Sequence, residues 1–308
     1  MDIDEKIKQK LIDIAQDNSS GSSELAKRAA MTLLEIVADL HEVPNAPVQS
    51  LRTPILIFAK ALLQAQPKMA TLFNLVNRAL LVINSQIVFG EAKAALEKYI
   101  HNFLSISGSD SVSERFQSII TENTIVLTYS YSATVNRALI SIKQQGINFE
   151  VFCSESRPIM EGRKTAQILA NAGIGVTFIV DAAILFALQR SNIVIFGADA
   201  VTTEGVVNKI GTMLIALAAR HFNKPCYVLA DSTKFLPSSY RLMTEEIHKQ
   251  EEIWPDPPSE IIVFNRYFET IPLEFFSGVV TEYGILKMPE VKLHLTNLGI
   301  SSELCTQL

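Results

Sequence analysis

Cysteine is nearly absent from this chain. Three thiols, Cys153, Cys226 and Cys305, are spread over 308 residues. They are too few and too far apart for a disulfide scaffold or a CxxC metal clip. That scarcity fits a reducing compartment and predicts a cytoplasmic protein. Glycine and proline are also sparse, at 13 and 12 residues, which excludes a collagen-like or low-complexity chain. Positive charge is in deficit: 27 Lys and Arg stand against 32 Asp and Glu, a net charge of −5. This excludes a whole-surface basic footprint, so no direct nucleic-acid binding is expected. No uncharged apolar run approaches the roughly 18 residues of a membrane span. The longest, over 173–188, is broken by Asp181, and no membrane partner is expected. The opening MDIDEKIKQKLIDIAQ is charged and helix-patterned and holds no apolar signal core. The histidines, at 41, 101, 221, 248 and 294, show no ligand spacing, so no metal is expected. A Walker loop, HExxH and GxSxG are all missing. Gly173-Ile-Gly175 copies part of a dinucleotide fingerprint. It precedes a strand, whereas the fingerprint follows one and opens a helix, so no cofactor is expected.

What the chain does have is apolar bulk. Hydrophobic residues make up 48% and charged ones 19%, a globular composition that rules out a disordered chain. At about 150 residues per domain, the length suggests two domains. The character changes near residue 120. Before it, apolar residues recur at helical spacing, as in Leu25, Ala29, Leu33 and Ile36, and in Leu72, Val76, Leu80 and Ile83. Breaks fall at 18–23, at 44–47, at Pro67 and at 105–113, the last a loop between helices. Four to six helices are expected, with no strand.

After residue 120, short β-branched runs alternate with helical segments. The expected strands are Thr124–Thr128, Phe149–Cys153, Val176–Val180, Ile193–Phe196, Cys226–Ala230 and Ile261–Phe264. The expected helices are Ala133–Gln145, Glu161–Ala172, Ala183–Arg190 and Lys209–Phe222. Continuous apolar strands separated by helices indicate a mostly parallel sheet covered on both faces. Right-handed crossovers give it a doubly wound layout. The fold class is therefore α/β, a helical domain over 1–118 followed by a Rossmann-like domain over 119–308. Ligands of such sheets bind at the carboxyl ends of the strands.

The groups that follow each strand are the candidates. After the first comes TYSYSAT (128–134), whose hydroxyls and helix start make either an anion site or a helix cap at Ser132. After the second, Arg157 is either a phosphate clamp or the partner of Glu155. Asp181 follows the third strand and reads as the N-cap of the next helix. The fourth ends in Gly197-Ala-Asp199, and an Asp facing an apolar wall is suited to proton transfer. Asn208 and Lys209 fall at the expected start of the next helix, where amides favour anions. Lys234 follows the fifth strand as a second cation or an ordinary solvated lysine. The stretch Glu245–Glu252 (EEIHKQEE) reads as a solvated helix or loop. Together these residues describe a site for a small anion, such as a phosphorylated metabolite, and do not by themselves name a reaction.

The run Gly197–Thr212, GADAVTTEGVVNKIGT, resembles a signature of the initiation factor 2B alpha/beta/delta family, which also contains ribose-1,5-bisphosphate and methylthioribose-1-phosphate isomerases. Further segments agree in the same order: LTYSYS (127–132), ESRP (155–158) with Glu161 and Gly162, DAA (181–183), KPCYV (224–228) with Lys234 and Phe235, and TEYG (281–284). In the helical half, QPKMATLFN (66–74) is similar as well. The resemblance implies a pocket for a phosphorylated sugar or nucleotide at the domain junction. It implies a homodimer through the C-terminal domain, assembled further in some members, with translation initiation factor 2 or sister subunits as partners. In the isomerases, a Cys after the first strand and the Asp of the GAD run carry catalysis. Asp199 matches that Asp, but the Cys position is Ser130 here. A thiol is readily tuned to a thiolate, whereas a hydroxyl needs a strong base beside it. The expected function is therefore that of a non-catalytic, alpha-subunit-like regulatory protein that binds a sugar phosphate. The alternative is an aldose–ketose isomerase of a phosphorylated pentose using Asp199 and Ser130. The implied ligand-binding residues are Ser132, Arg157, Asn208, Lys209 and Lys234. Gly21 and Ser22, ahead of a helix, make a second phosphate cradle.

Overall fold

A computed structural model describes residues 5–17, 21–40, 46–67, 69–106, 111–242 and 247–305. The expected breaks at 18–20 and 44–45, the middle of the 105–113 loop, and Glu245 and Glu246 lie outside them. The chain divides into two compact units. The first comprises Met1–Ser109, Thr233–Leu242 and His294–Leu308, and the second Asp110–Ser232 and Met243–Leu293.

The first unit is helical. It holds α1 (Glu5–Gln16), α2 (Ser22–Asp39), α3 (Gln49–Ala65), α4 (Ala70–Asn84), α5 (Phe89–Ile106) and the short α12 (Ser302–Cys305). Helix α4 carries the predicted stripe: Leu72, Val76, Leu80 and Ile83 are all fully buried. On α2 the stripe runs through Leu25, Ala29 and Leu33 and continues at Val37, leaving Ile36 only half-buried. Asn74 of α4 donates to the carbonyls of Thr233 and Phe235 at 2.7 and 2.8 Å, fixing the main chain on both sides of Lys234.

The second unit opens with α6 (Ser111–Phe116) and is built on ten short strands. These are β1 (Thr124–Thr128), β2 (Phe149–Ser154), β3 (Gly175–Ile179), β4 (Ile193–Phe196), β5 (Ala200–Val201), β6 (Val206–Lys209), β7 (Cys226–Leu229), β8 (Phe268–Ile271), β9 (Gly278–Thr281) and β10 (Gly284–Leu286). The helices between them are α7 (Ala133–Gln144), α8 (Gly162–Asn171), α9 (Ile184–Arg190) and α10 (Thr212–His221). Helix α11 (Met288–Asn297) follows the last strand. Seven strands form one sheet in the order β10-β9-β7-β4-β1-β2-β3, parallel except for β10 at its edge. This is the expected Rossmann-like α/β layout. Its central strands are apolar because both faces are covered; Ile193–Phe196, for example, is buried throughout. Val126, Val151, Ile195 and Val280 of the sheet pack with Val135, Leu139 and Ile142 of α7 and Phe116 of α6. Among the described residues no helix is long and apolar enough to cross a membrane.

Two expectations are corrected. Ile261–Phe264 is no strand: Ile262 is 92% exposed and Phe264 is exposed too, so an apolar run stands without a ladder. The sheet is completed instead by β9 and β10. The expected helix Lys209–Phe222 begins only at Thr212, because Val206–Lys209 is a strand of a small antiparallel sheet, β5-β6-β8. Gly211 separates the two with φ +100°, a left-handed turn that ends the strand and caps α10.

Candidate functional site

The order of the sheet places its topological switch between β1 and β4. From β1 the chain winds outward through β2 and β3, and from β4 it winds outward through β7 and β9. A crevice opens at such a point, outside the carboxyl ends of the two strands. Here it lies between the turns Tyr129–Ser132 and Gly197–Asp199. The two turns touch directly: a Cβ on Gly197 would fall 2.3 Å from Ser132 Oγ. Only glycine permits that approach. Ser132 caps α7, its hydroxyl accepting from Val135 N at 3.3 Å. One residue into the helix, Thr134 is buried with its hydroxyl unpartnered. Ser132 thus fills the expected role of cap, and the cap is neutral.

Ser130 is the most constrained residue of the first turn. Its φ is +68°, an unusual conformation for a side chain other than glycine. Its N–H donates to Ser156 Oγ at 2.8 Å, and its carbonyl accepts from Thr165 Oγ1 at 2.9 Å. Its own hydroxyl donates to Glu161 Oε1 at 2.8 Å. The same oxygen receives the Lys209 ammonium at 2.9 Å. Lys209 is 2% exposed and lies 4.6 Å from the centre of the Tyr267 ring. Ser130, Glu161 and Lys209 are therefore one hydrogen-bonded chain, buried at both ends and partly open at Glu161. Sequence reasoning missed Glu161 as a site residue, although it stands in the matched segment ESRPIMEG. The contact spans 31 residues of sequence, and nothing local signals it.

Asp181 does not cap the helix after it. Its carboxylate accepts from the Ser154 hydroxyl, from Ser156 N at 2.9 Å and from Arg157 N at 2.7 Å. It thereby fixes the turn that presents Ser156 to Ser130. Arg157 makes no ion pair with Glu155; its guanidinium reaches the carbonyl of Ile253 at 3.4 Å, beside the half-exposed Trp254.

The second expected anion seat, at the start of α10, is already filled. Glu269 Oε1 accepts from the N–H groups of Gly211 and Met213, both at 2.8 Å. The Asn208 amide donates to Thr212 Oγ1, which donates to the Lys209 carbonyl. Both Asn208 and Lys209 lie on β6, so neither offers a helix-start amide. Asp199, half-buried, sits between β4 and β5 with its N–H on the Val207 carbonyl at 2.8 Å. The remaining candidates belong to the other compact unit. Gly21 is the N-cap residue of α2, Ser22 begins that helix, and Lys234 is buried at the end of a 3-10 turn.

Two of the three thiols are buried. Burial pushes Cys153 up to about 12, and pushes Cys226 up as well. The Tyr129 phenol is raised by burial first and then by Asp181, Glu161, Glu269 and Glu155. It stays protonated and donates to the Ile210 carbonyl at 2.7 Å. Among the described residues no three His, Cys, Asp or Glu side chains gather to hold a metal.

A model of the initiation factor 2 subunit family matches residues 18–288. The chain belongs to that family. Within the family, it is 29% identical over 286 residues to a Pyrococcus furiosus protein named as translation initiation factor eIF-2B subunit 2-like, covering 92% of this chain and 98% of the other. It is 27% identical over 271 residues to the ribose 1,5-bisphosphate isomerase of Methanocaldococcus jannaschii, covering 86% of each. The crystal structure of the Pyrococcus horikoshii translation initiation factor eIF-2B superposes with a TM-score of 0.77 at 27% identity, over 93% of this chain and 98% of that one. Factor-like and isomerase members of the family thus resemble this chain to nearly the same degree.

Proposed function

We propose that this family member is an alpha-subunit-like regulatory protein that binds a phosphorylated sugar or nucleotide and does not turn it over. One observation carries the reading. At the position where the resemblance puts the isomerases' Cys stands Ser130, and its hydroxyl is donated to Glu161. A hydroxyl held as a donor to a carboxylate is neutral and far from the reactivity of a thiolate. The ligand's phosphate belongs at the start of α7, with the Ser132 and Thr134 hydroxyls and the first amides of the helix. Arg157, Asn208 and Lys209 complete the proposed ligand set of this unit; Gly21, Ser22 and Lys234 are proposed, separately, as phosphate contacts of the first unit.

The protein acts in the cytoplasm as a homodimer, with initiation factor 2 or sister subunits as partners. An apolar surface on the second unit supports the dimer. Phe178 and Val180 at the edge strand β3, Leu185 and Phe186 of α9, and Leu214 and Leu217 of α10 are all exposed, Leu214 by 68%. Large contiguous apolar patches on soluble domains mark protein interfaces.

The test is a calorimetric panel of pentose and hexose mono- and bisphosphates, each ligand then followed by NMR in the presence of the protein. Binding without conversion is the expected result; the absence of any binding refutes the reading. Conversion favours the second reading, an aldose–ketose isomerase using Asp199 and Ser130. The observation in its favour is the carboxylate of Glu161, a base in direct contact with Ser130. Ser130→Ala then abolishes turnover. In the non-catalytic protein, Ser130→Cys gains it.

A further inference from the structure

The approach to β8 leaves a strand-like edge open. We propose that the stretch Glu260–Arg266 pairs antiparallel with the same stretch of a second copy of this chain, about a two-fold axis through Val263. This rests on the homodimer reading above and names the pairing that sets its register.

The small sheet runs β5-β6-β8, so β8 is an edge strand. The chain leads into it over 261–267 without a turn or bend, after Ile261 N closes a turn on the Pro258 carbonyl at 2.9 Å. Exposure alternates along this lead: Ile262 and Phe264 are exposed, Val263 is half-buried and Asn265 is buried. That is the period of a strand. The backbone alternates too. The carbonyls of Asn265 and Tyr267 accept from His248 N at 2.9 Å and from Ile210 N at 2.7 Å, so the odd-numbered residues face the body of the unit. In an extended chain the N–H and C=O groups of the even-numbered residues then face away. Among the described residues no backbone hydrogen bond reaches Ile262 or Phe264. Open groups on an edge recruit another strand.

The strand that this edge fits is its own copy. With the axis at Val263, Ile262 of one copy lies opposite Phe264 of the other, and each such pair exchanges its N–H and C=O groups. Glu260 then stands opposite Arg266 on both sides of the axis. Glu260, Ile262, Phe264 and Arg266 share one face, on which the Arg266 guanidinium lies 5.1 Å from the centre of the Phe264 ring. Apolar pairs therefore fall inside and opposite charges outside, the cross-strand partners that favour a sheet. Moving the axis one residue either way breaks both charge pairs. A two-fold contact has to be self-complementary, and this register is. In addition, β8 packs against α10, whose exposed Leu214 and Leu217 belong to the apolar surface described above. One second copy would cover edge and surface together.

The experiment is sedimentation velocity of the full chain over a dilution series, with circular dichroism as the check on folding. The wild type should be a dimer. Glu260→Arg and Arg266→Glu should each weaken it by about tenfold, because each sets like charges opposite one another on both sides of the axis. An equimolar mixture of the two variants should regain it, since every charge then meets its opposite. Ile262→Pro, at an exposed position, removes a donor from the edge and should weaken the dimer at least as much. Charge variants that dimerise like the wild type overturn the pairing and leave the homodimer reading standing. So does a mixture that gains nothing over its components. A wild type that stays monomeric takes the homodimer reading down as well.

Discussion

Two strand-to-helix connections of the second unit invite comparison. Tyr129–Ser132 leads from β1 into α7, and Ile210–Gly211 leads from β6 into α10. Each holds a residue with positive φ, Ser130 in one and Gly211 in the other, and each ends at a helix start. Their electrostatics are opposite. The first helix is capped by a neutral hydroxyl, Ser132, and the second by a carboxylate, Glu269. A helix start attracts an anion only while its amides are free to meet one. The fold alone therefore does not decide where an anion binds; a side chain supplied from elsewhere does. The two connections are also tied together, because Lys209, just before the second, bonds to the same Glu161 oxygen as Ser130 in the first.

Cutting that tie should have the largest effect. Lys209→Met leaves Glu161 without its cation; the expected loss is about 3 kcal/mol in urea unfolding, the low end for broken buried pairs because Glu161 is partly open. The contact between the turns comes next. Gly197→Ala places a Cβ against Ser132 Oγ and should cost about 2 kcal/mol on the same measurement. The two caps themselves give the sharpest contrast. Ser132→Ala and Glu269→Ala should each cost about 1 kcal/mol as lost caps. Only Ser132→Ala should also weaken phosphosugar binding, by about tenfold, because Glu269, on β8, faces the start of α10 and not a ligand. Equal effects of both on affinity would erase the distinction. The smallest effect is chemical. At pH 8 a thiol reagent should titrate the exposed Cys305 quickly and leave Cys153 and Cys226 untouched until the chain unfolds. Cys153, held near 12 by burial, gains reactivity only as pH climbs toward that value.

The first connection was far more legible in the sequence than the second. β1 and β4 are continuous apolar runs, and their observed bounds coincide with the expected ones. Ser132 stands where a cap is preferred, just before a helical pattern. The second connection was masked because β6 is short and its Asn208 and Lys209 blend into the helical pattern of α10. Glu269, which closes that helix, lies 58 residues after Gly211, beyond any local rule. Glu161 was hidden for the same reason. Ile261–Phe264 misled in the opposite way, because β-branched composition signals a strand only where a neighbour offers a ladder. Strand β8, with only Ile271 fully buried, has no comparable apolar run.

The half-exposed Trp254 is the only tryptophan in the chain. Its neighbour Ile253 accepts the guanidinium of Arg157, which belongs to the turn that Asp181 fixes and that presents Ser156 to Ser130. The molecule therefore carries a single indole fluorophore wired to the edge of its candidate site. Excitation at the red side of the indole band reads that edge alone, without a label, and a ligand that shifts the Arg157 turn reports itself as a change in colour or quenching.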